Sequence, residues 1–493
     1  MKIGSGLEGI RARIDVLVIG LGVTGAGVAL DAASRGLWVL AVDAEDVAFG
    51  TSRWSSKLVH GGLRYLANGQ LGVAYESAVE RGILMQRTAP HLVHALPMLL
   101  PLTPAVSRSA EVLARGGFAA GEVLRRTART SRDTLPRPRR IGRTETLAMA
   151  GAVRRSGLRG GLLSWDGQLE DDARLAISLA RTAAAYGADV RTRVRAVDVT
   201  GTSATLVSGD DSIRISARAV INATGVWACE VVPEIKLKPS RGSHLVVRKS
   251  SLPGVRSAIT APVPGSTSRF VFALPQADDL FYIGLTDEEV STVDRVPSAP
   301  AEDVDFLLST INSALERPLT HDDVVGTYAG LRPLLDAGGT TADISRRHAV
   351  LRSRQGVVSI VGGKLTTYRQ MAQDAVDAID MGGSCRTHDL PLLGAASREE
   401  LDAVSGHPRL VRRFGTEAEL VLAEARSTTG LSEATLLQGH GSAGVTLAEL
   451  VFGVTHEGAR SVDDLLDRRV RVGLVPEDRA ALVPVAERAL SWA

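Results

Sequence analysis

The stretch DVLVIGLGVTGAGVALDAASRGLWVLAVD, residues 15–43, decides the fold class. Asp15–Gly20 reads as a buried strand, because it is a short run of mostly branched apolar residues that stops at glycine. Thr24–Arg35 is alanine-rich and suits a helix ended by Gly36, and Leu37–Asp43 reads as a second strand. Strand, helix and strand within about thirty residues make a βαβ unit with parallel strands. Gly20, Gly22 and Gly25 form GxGxxG at its first turn. The first allows the tight turn, the second lets backbone approach a pyrophosphate, and the third lets helix and strand pack closely. Ala29, Ala33 and Gly36 keep the helix thin, and Asp43 ends the second strand where a carboxylate can accept two ribose hydroxyls. The unit is therefore expected to bind a dinucleotide, its phosphates at the helix N-terminus.

Working outward, 493 residues allow two to four domains, and 44% apolar with 23% charged residues imply a large core rather than global disorder. The basic residues divide into 51 arginines and six lysines, a bias that genome composition explains, and the formal charge is only +2. No global basic field invites nucleic acid. Cys229 and Cys385 have neither metal-ligand spacing nor a disulfide pattern, which suits a reducing compartment; no metal is expected. The longest apolar run, Leu92–Val106, contains Pro97, Pro101 and Pro104 and falls short of the ~20 residues a membrane helix needs. Residues 11–33 mimic a signal peptide, but Asp15 and the spaced glycines argue against that reading.

Further along, residues 105–143 hold ten arginines against Glu111, Glu122 and Asp133, with Leu113, Phe118, Val123 and Leu124 able to share a helical face. Such a segment fits either an anionic bilayer surface or a solvated insertion loop. Residues 170–186 form a helix capped and braced by Asp171, Asp172 and Arg174. Strands are expected at Asp189–Val199, Ala204–Val207 and Ile213–Thr224, and an antiparallel sheet over 241–290. A helix starts near Glu302, and amphipathic helices occupy 418–426, 445–452 and 477–491.

The segment TSRWSSKLVHGGLRYL, residues 51–66, combines hydroxyls, cations, His60 and a glycine pair with no core-like period. With AVERGILMQRTAPHLV (78–93), LEDDARL (169–175), INATGVW (221–227), RGSHLVV (241–247), YAGLRPL (328–334) and GGKLTTYRQMA (362–372), it resembles the FAD-dependent, aerobic-type glycerol-3-phosphate dehydrogenase family. The landmarks run in family order from residue 14 to residue 372, and the helical remainder resembles the family's C-terminal domain more loosely, so that the resemblance covers nearly the whole chain. Two departures are Leu21, where the family commonly has a third glycine, and Val226, where it has proline.

The resemblance implies an α/β + α fold. An FAD-binding Rossmann-like domain of the glutathione-reductase/D-amino-acid-oxidase type would span 14–240 and 330–385, with 105–143 as a basic insertion. A mixed or antiparallel substrate-binding sheet would span 241–329, and a helical C-terminal domain 386–493. Family positions around sn-glycerol 3-phosphate match Arg64, Tyr65, Arg332 and Lys364, and His244 matches a histidine near the reacting hydroxyl. His244 is the expected proton acceptor, since an imidazole with an ordinary pKa of ~6.5 suits that role, and Arg332 the expected partner of the alkoxide. The converse division, Arg332 on phosphate and Lys364 on the hydroxyl, stays open. FAD contacts implied beyond Gly20, Gly22, Gly25 and Asp43 are Thr51, Ser55, Ser56, Leu58, Gly225, Gly363, Leu365 and Thr366, with the Val194 amide and carbonyl holding adenine.

The resulting expectation is oxidation of sn-glycerol 3-phosphate to dihydroxyacetone phosphate by hydride transfer to flavin, electrons passing to a membrane quinone. The protein would then sit peripherally on the inner face of the cytoplasmic membrane, with homodimer formation left open. A soluble oxygen-dependent oxidase shares the same active-site motifs. A non-catalytic flavin-binding scaffold is the third reading, and the set Arg64, His244, Arg332 and Lys364 speaks against it.

Overall fold

The computed structural model describes residues 2–62, 69–266, 269–336 and 348–492. The βαβ unit forms as its sequence dictates: strand Arg13–Ile19, helix Val23–Ser34 and strand Val39–Val42, the two strands parallel. Gly25 has no room for a Cβ, which would collide with the Gly20 carbonyl, and at Gly27 it would fall 2.9 Å from the Tyr368 ring. The helix is consequently buried along its whole length, against helices Asp172–Ala185 and Tyr368–Asp377.

Strands Asp189–Thr192, Val39–Val42, Arg13–Ile19, Asp211–Asn222 and Val358–Gly362 run parallel through the first sheet. Asp211–Asn222 changes partner along its length. Residues 211–216 pair antiparallel with Ser203–Ser208, and residues 216–222 pair parallel with Arg13–Ile19. The strand expected at Asp189–Val199 is broken at Arg193, which has φ +60°, into Asp189–Thr192 and Arg195–Val197.

Among the described residues the second sheet has ten strands, and it draws on far more of the chain than 241–329. Leu58–Val59, Val93–Pro101, Arg139–Ile141 and Gly161–Leu169 join it from the N-terminal side, and Leu237–Arg248 and Val324–Leu335 overrun both expected borders. The apolar run near residue 92 is thus a sheet strand, and segment 105–143 interrupts this sheet rather than the first. On its outer face Leu245, Val247, Phe281 and Ile283 pack under helix Ala301–Asn312 through Leu307, Leu308 and Ile311.

Helix Arg108–Thr127 occupies the basic segment, started by Ser107 Oγ accepting from the Ala110 amide at 3.1 Å. Several arginines of the basic segment are paired: Arg125 and Arg126 with Glu122 on this helix, and Arg140 of strand Arg139–Ile141 with Glu111. Val112, Leu113 and Val123 are exposed, as are Leu71 and Tyr75 on the adjoining helix Leu71–Ile83. Among the described residues no helix is long and apolar enough to cross a membrane.

The C-terminal region is helical, with Ala418–Thr429, Leu447–Thr455 and Pro476–Leu490 around a core that includes Val421, Leu450, Phe452 and Leu482. Buried ion pairs join it to the rest: Arg174 with Glu457, Arg413 with Asp171, Arg468 and Arg469 with Asp46, and Arg471 with Asp172. Removing one partner of such a pair typically costs ~3–5 kcal/mol, because the other charge is left buried alone.

Candidate functional site

A cavity of about 1850 Å³ lies between the two sheets. One end is built by the βαβ turn. Gly20 has φ +99°, and a Cβ there would fall 2.7 Å from the Ala223 carbonyl oxygen. Gly22 caps the helix with no side-chain hydrogen bond, so the first amides face the cavity side, where Ser52 Oγ accepts from Val23 at 2.8 Å. Gly25 lies one turn deeper and serves packing rather than the wall. Asp43 accepts from the amides of Leu21 at 2.7 Å and Glu45 at 2.8 Å, and burial nonetheless pushes its carboxyl up to about 6. Val194 lines the same end, but its amide donates to the Asp43 carbonyl at 2.8 Å. This corrects the expectation that the amide holds adenine, since the bond between these two residues, each just beyond a strand end, already uses it.

The middle of the wall is the segment around Thr51–Leu58. Thr51 Oγ1 donates to the Leu331 carbonyl at 2.6 Å, which ties the segment to the second sheet. Ser55 donates through its amide (2.9 Å) and hydroxyl (2.7 Å) to Asp172, and Ser56 Oγ lies 2.8 Å from His244 Nε2. Leu58 is buried beside them. Gly225, at φ +62°, and Gly363, at φ +73°, bring backbone to the wall from the two turns that follow the parallel strands. Leu365 and Thr366 occupy the first turn beyond Lys364, where Thr366 Oγ1 accepts from the His60 amide at 3.2 Å.

Register in the second sheet makes the reacting end. His244 faces Gly284 on one side and Tyr328 on the other, and Arg332 faces Ser240. With a side-chain period of two, Ser240, Gly242 and His244 share a face with Arg332, Gly330 and Tyr328. The imidazole stacks on Tyr328 at 4.5 Å and 7°, and Gly284 leaves the space its ring fills. Gly242 likewise leaves room for the Arg332 guanidinium, which donates to Ser240 Oγ, Asp287 Oδ1 and the Thr286 carbonyl, each at 3.1 Å. Burial first, then the charges of Lys57 and Arg332, hold the His244 imidazole well below its ordinary pKa, so it is neutral and can accept a proton. Lys364 reaches the cavity and bonds Ser77 Oγ. Arg64 and Tyr65 lie outside the described residues.

Sequence reasoning missed two groups here. Asp172, expected to cap and brace its own helix, accepts from the Ala173 amide at 2.9 Å, as Asp171 does at 3.0 Å, and it also bridges Ser55, Lys57 and Arg471. Burial, reinforced by Arg471, pushes the Lys57 ammonium down to about 8 against the pull of Asp172. His60 is the second group. Its Nδ1 lies 3.1 Å from Asp166, which also accepts from Arg81 at 2.6 Å, and both His60 and Asp166 line the cavity. Although burial opposes it, the charges of Arg81 and His60 hold Asp166 down at about 2. The HGG segment signalled polarity; its carboxylate partner, more than a hundred residues away, carried no local signal.

Comparison with known proteins fits this geometry. The model of the FAD-dependent oxidoreductase family matches residues 15–369, and that of the C-terminal domain of alpha-glycerophosphate oxidase matches 385–491. Glycerol-3-phosphate dehydrogenase 1 of Mycobacterium bovis is 52% identical over 97% of this chain and 95% of its own length. The chain belongs to the FAD-dependent glycerol-3-phosphate dehydrogenase family. Aerobic glycerol-3-phosphate dehydrogenase of Staphylococcus aureus is 30% identical over 92% of this chain and 86% of its own. The crystal structure of the Bacillus halodurans glycerol-3-phosphate dehydrogenase complexed with FAD aligns with a TM-score of 0.74 at 28% identity, covering 98% of this chain and 92% of that one.

FAD is the cofactor of this dehydrogenase family, and the residues present suit it: a glycine turn that a Cβ would fill, a helix N-terminus whose cap position, Gly22, offers no side chain, and a terminal carboxylate. Asp43→Ala should therefore raise the FAD dissociation constant by more than about 100-fold, since two hydrogen bonds to a charged acceptor are worth ~1.5–3 kcal/mol each. The sign with pH follows from the raised carboxyl. Asp43 is a full acceptor above about 6, so FAD affinity falls as pH drops through that value, and the alanine variant loses this dependence. Fluorescence titration of apoprotein with FAD between pH 5 and 8 checks both.

Proposed function

We propose that the protein oxidises sn-glycerol 3-phosphate to dihydroxyacetone phosphate and delivers the electrons to a membrane quinone. The observation that carries this reading is the pairing, on one sheet face, of a neutral histidine with a fixed guanidinium at the end of a dinucleotide cradle. Bound FAD supplies the hydride acceptor. His244 Nε2 takes the hydroxyl proton by way of Ser56 Oγ, which passes its own proton to the ring as it receives the one leaving the substrate. Arg332, aimed by Ser240, Asp287 and Thr286, stabilises the alkoxide as it develops. Lys364, with Arg64 and Tyr65, holds the phosphate, for which cations and a hydroxyl are the natural donors.

A second reading of the proton step is favoured by one observation. His60 is oriented by a carboxylate, as catalytic imidazoles often are, and would accept the proton in place of His244.

The acceptor reading is supported by the surface. Exposed Leu71, Tyr75, Val112 and Val123 stand on two adjoining helices among exposed Arg108 and Arg115, the composition of a segment lying on an anionic bilayer. The replacement pair Val112→Glu and Val123→Glu should lower co-sedimentation with phosphatidylglycerol vesicles by about tenfold while leaving flavin reduction by substrate unchanged. Purified holoprotein should reduce a soluble quinone analogue in step with dihydroxyacetone phosphate formation. Stoichiometric peroxide in air, with no quinone-analogue reduction, would instead support a soluble oxidase. A homodimer remains part of this proposal, to be read from sedimentation of the holoprotein.

A further inference from the structure

One arginine of the C-terminal domain reaches the back of the cavity wall. Arg471 is buried and stands at φ +61°, a left-handed conformation that a non-glycine residue keeps only where its surroundings hold it. Its Nη1 donates to Asp172 Oδ1 at 2.7 Å and to the Arg53 carbonyl. The other carboxylate oxygen, Asp172 Oδ2, accepts from the Ser55 amide and hydroxyl and from Lys57 Nζ at 2.9 Å. Lys57 is also left-handed, at φ +58°, and its ammonium lies 5.0 Å from the Tyr328 ring centre. Tyr328 in turn stacks on His244 and donates through its hydroxyl to the Ser55 carbonyl at 3.0 Å.

Neither Arg471, Asp172 nor Lys57 lines the cavity, whereas Ser55, Ser56 and His244 do. The three charges therefore act on the site only through the segment they hold. Another interdomain pair ends elsewhere: Arg174 on the same helix is equally buried, but its guanidinium donates to Glu457, whereas Asp172 takes the bonds from Ser55 and Lys57. We propose that Arg471 is a positioning residue for the dehydrogenase reaction, fixing Ser55–Lys57 through Asp172 against the His244–Tyr328 stack. Turnover on the two-sheet body thus depends on a docked C-terminal domain. A displacement of about 1 Å at a reacting group can cost about 100-fold in rate, so a buried clamp at this place has kinetic consequences.

The inference rests on the reading of the site given above. The experiment uses the full-length FAD-loaded protein and anaerobic stopped-flow flavin reduction by glycerol 3-phosphate, with amide hydrogen exchange on the same samples. Arg471→Met should slow the rate constant at saturating substrate by about tenfold or more, with the half-saturating concentration changed less than about threefold, and speed exchange at Ser55 and Lys57 about tenfold. Arg471→Lys, which keeps a donor for both acceptors, should recover the rate to within about threefold. Glu457→Gln should lower thermal stability without changing the rate constant. Should Arg471→Met fail to fold, the same measurements are made on the triple variant Lys57→Met, Asp172→Asn and Arg471→Met, which leaves none of the three charges buried alone. A wild-type rate constant in either folded variant, or an equal loss in Glu457→Gln, overturns the proposal. Wild-type flavin that is not reduced at all would overturn the reading of the site instead, so the two failures are distinct.

Discussion

Replacing His244 by glutamine should slow flavin reduction by glycerol 3-phosphate by about 10²–10⁴-fold, the usual worth of a positioned general base. Glutamine is close in volume and can still bond Ser56 Oγ, 2.8 Å from Nε2 in the native site. It can also lie over Gly284 beside Tyr328, where the imidazole now stacks. What it cannot do is take a proton. The native ring, left unprotonated by burial and the two neighbouring cations, has a basic nitrogen that can. Measured in parallel, His60→Gln removes the imidazole that Asp166 orients and should cost only about tenfold if His244 is the acceptor. The reverse order of losses would move the proton to His60.

The second large effect is expected at Arg332. Arg332→Met should lower kcat/KM by about 10²–10³-fold, the range seen when one preorganised donor to a developing oxyanion is removed. The guanidinium is held by Ser240 on strand Leu237–Arg248 and by Thr286 and Asp287 in the link that follows strand Leu280–Gly284, so its direction is set before substrate arrives. Arg332→Lys keeps the charge but loses the planar fork and should recover only part of the loss. Lys364→Met gives the contrast that separates the roles. If Lys364 serves the phosphate, its loss falls mainly on KM, whereas a loss mainly in kcat would assign it to the hydroxyl and Arg332 to the phosphate.

How legible this was in the sequence depended on the distance over which each feature is decided. The glycine turn at Gly20, Gly22 and Gly25 could be read because its requirement is local: a Cβ at Gly25 meets backbone five residues away. The helices at 172–185, 301–312 and 476–490 were legible from period and caps for the same reason. The extent of the second sheet was not, since Val93–Pro101 takes its partner from Gly161–Leu169 across the basic segment, and no local period announces that pairing. Asp172 was legible in its local role, accepting from its own helix at Ala173, but not in the convergence on it of Lys57 and Arg471, which are distant in sequence on both sides. At His244 the family landmark supplied the position, but its meaning came from register, which sets Gly284 and Tyr328 on either side.

The central claim is that this site moves a hydride from glycerol 3-phosphate to bound flavin. The most direct measurement is the visible spectrum of the FAD-loaded protein during anaerobic addition of substrate. Bleaching of the oxidised flavin band, complete near one equivalent of glycerol 3-phosphate per flavin and accompanied by an equal amount of dihydroxyacetone phosphate, is the predicted result. A yellow spectrum that persists at saturating substrate would contradict the account and leave a flavin-binding scaffold in its place.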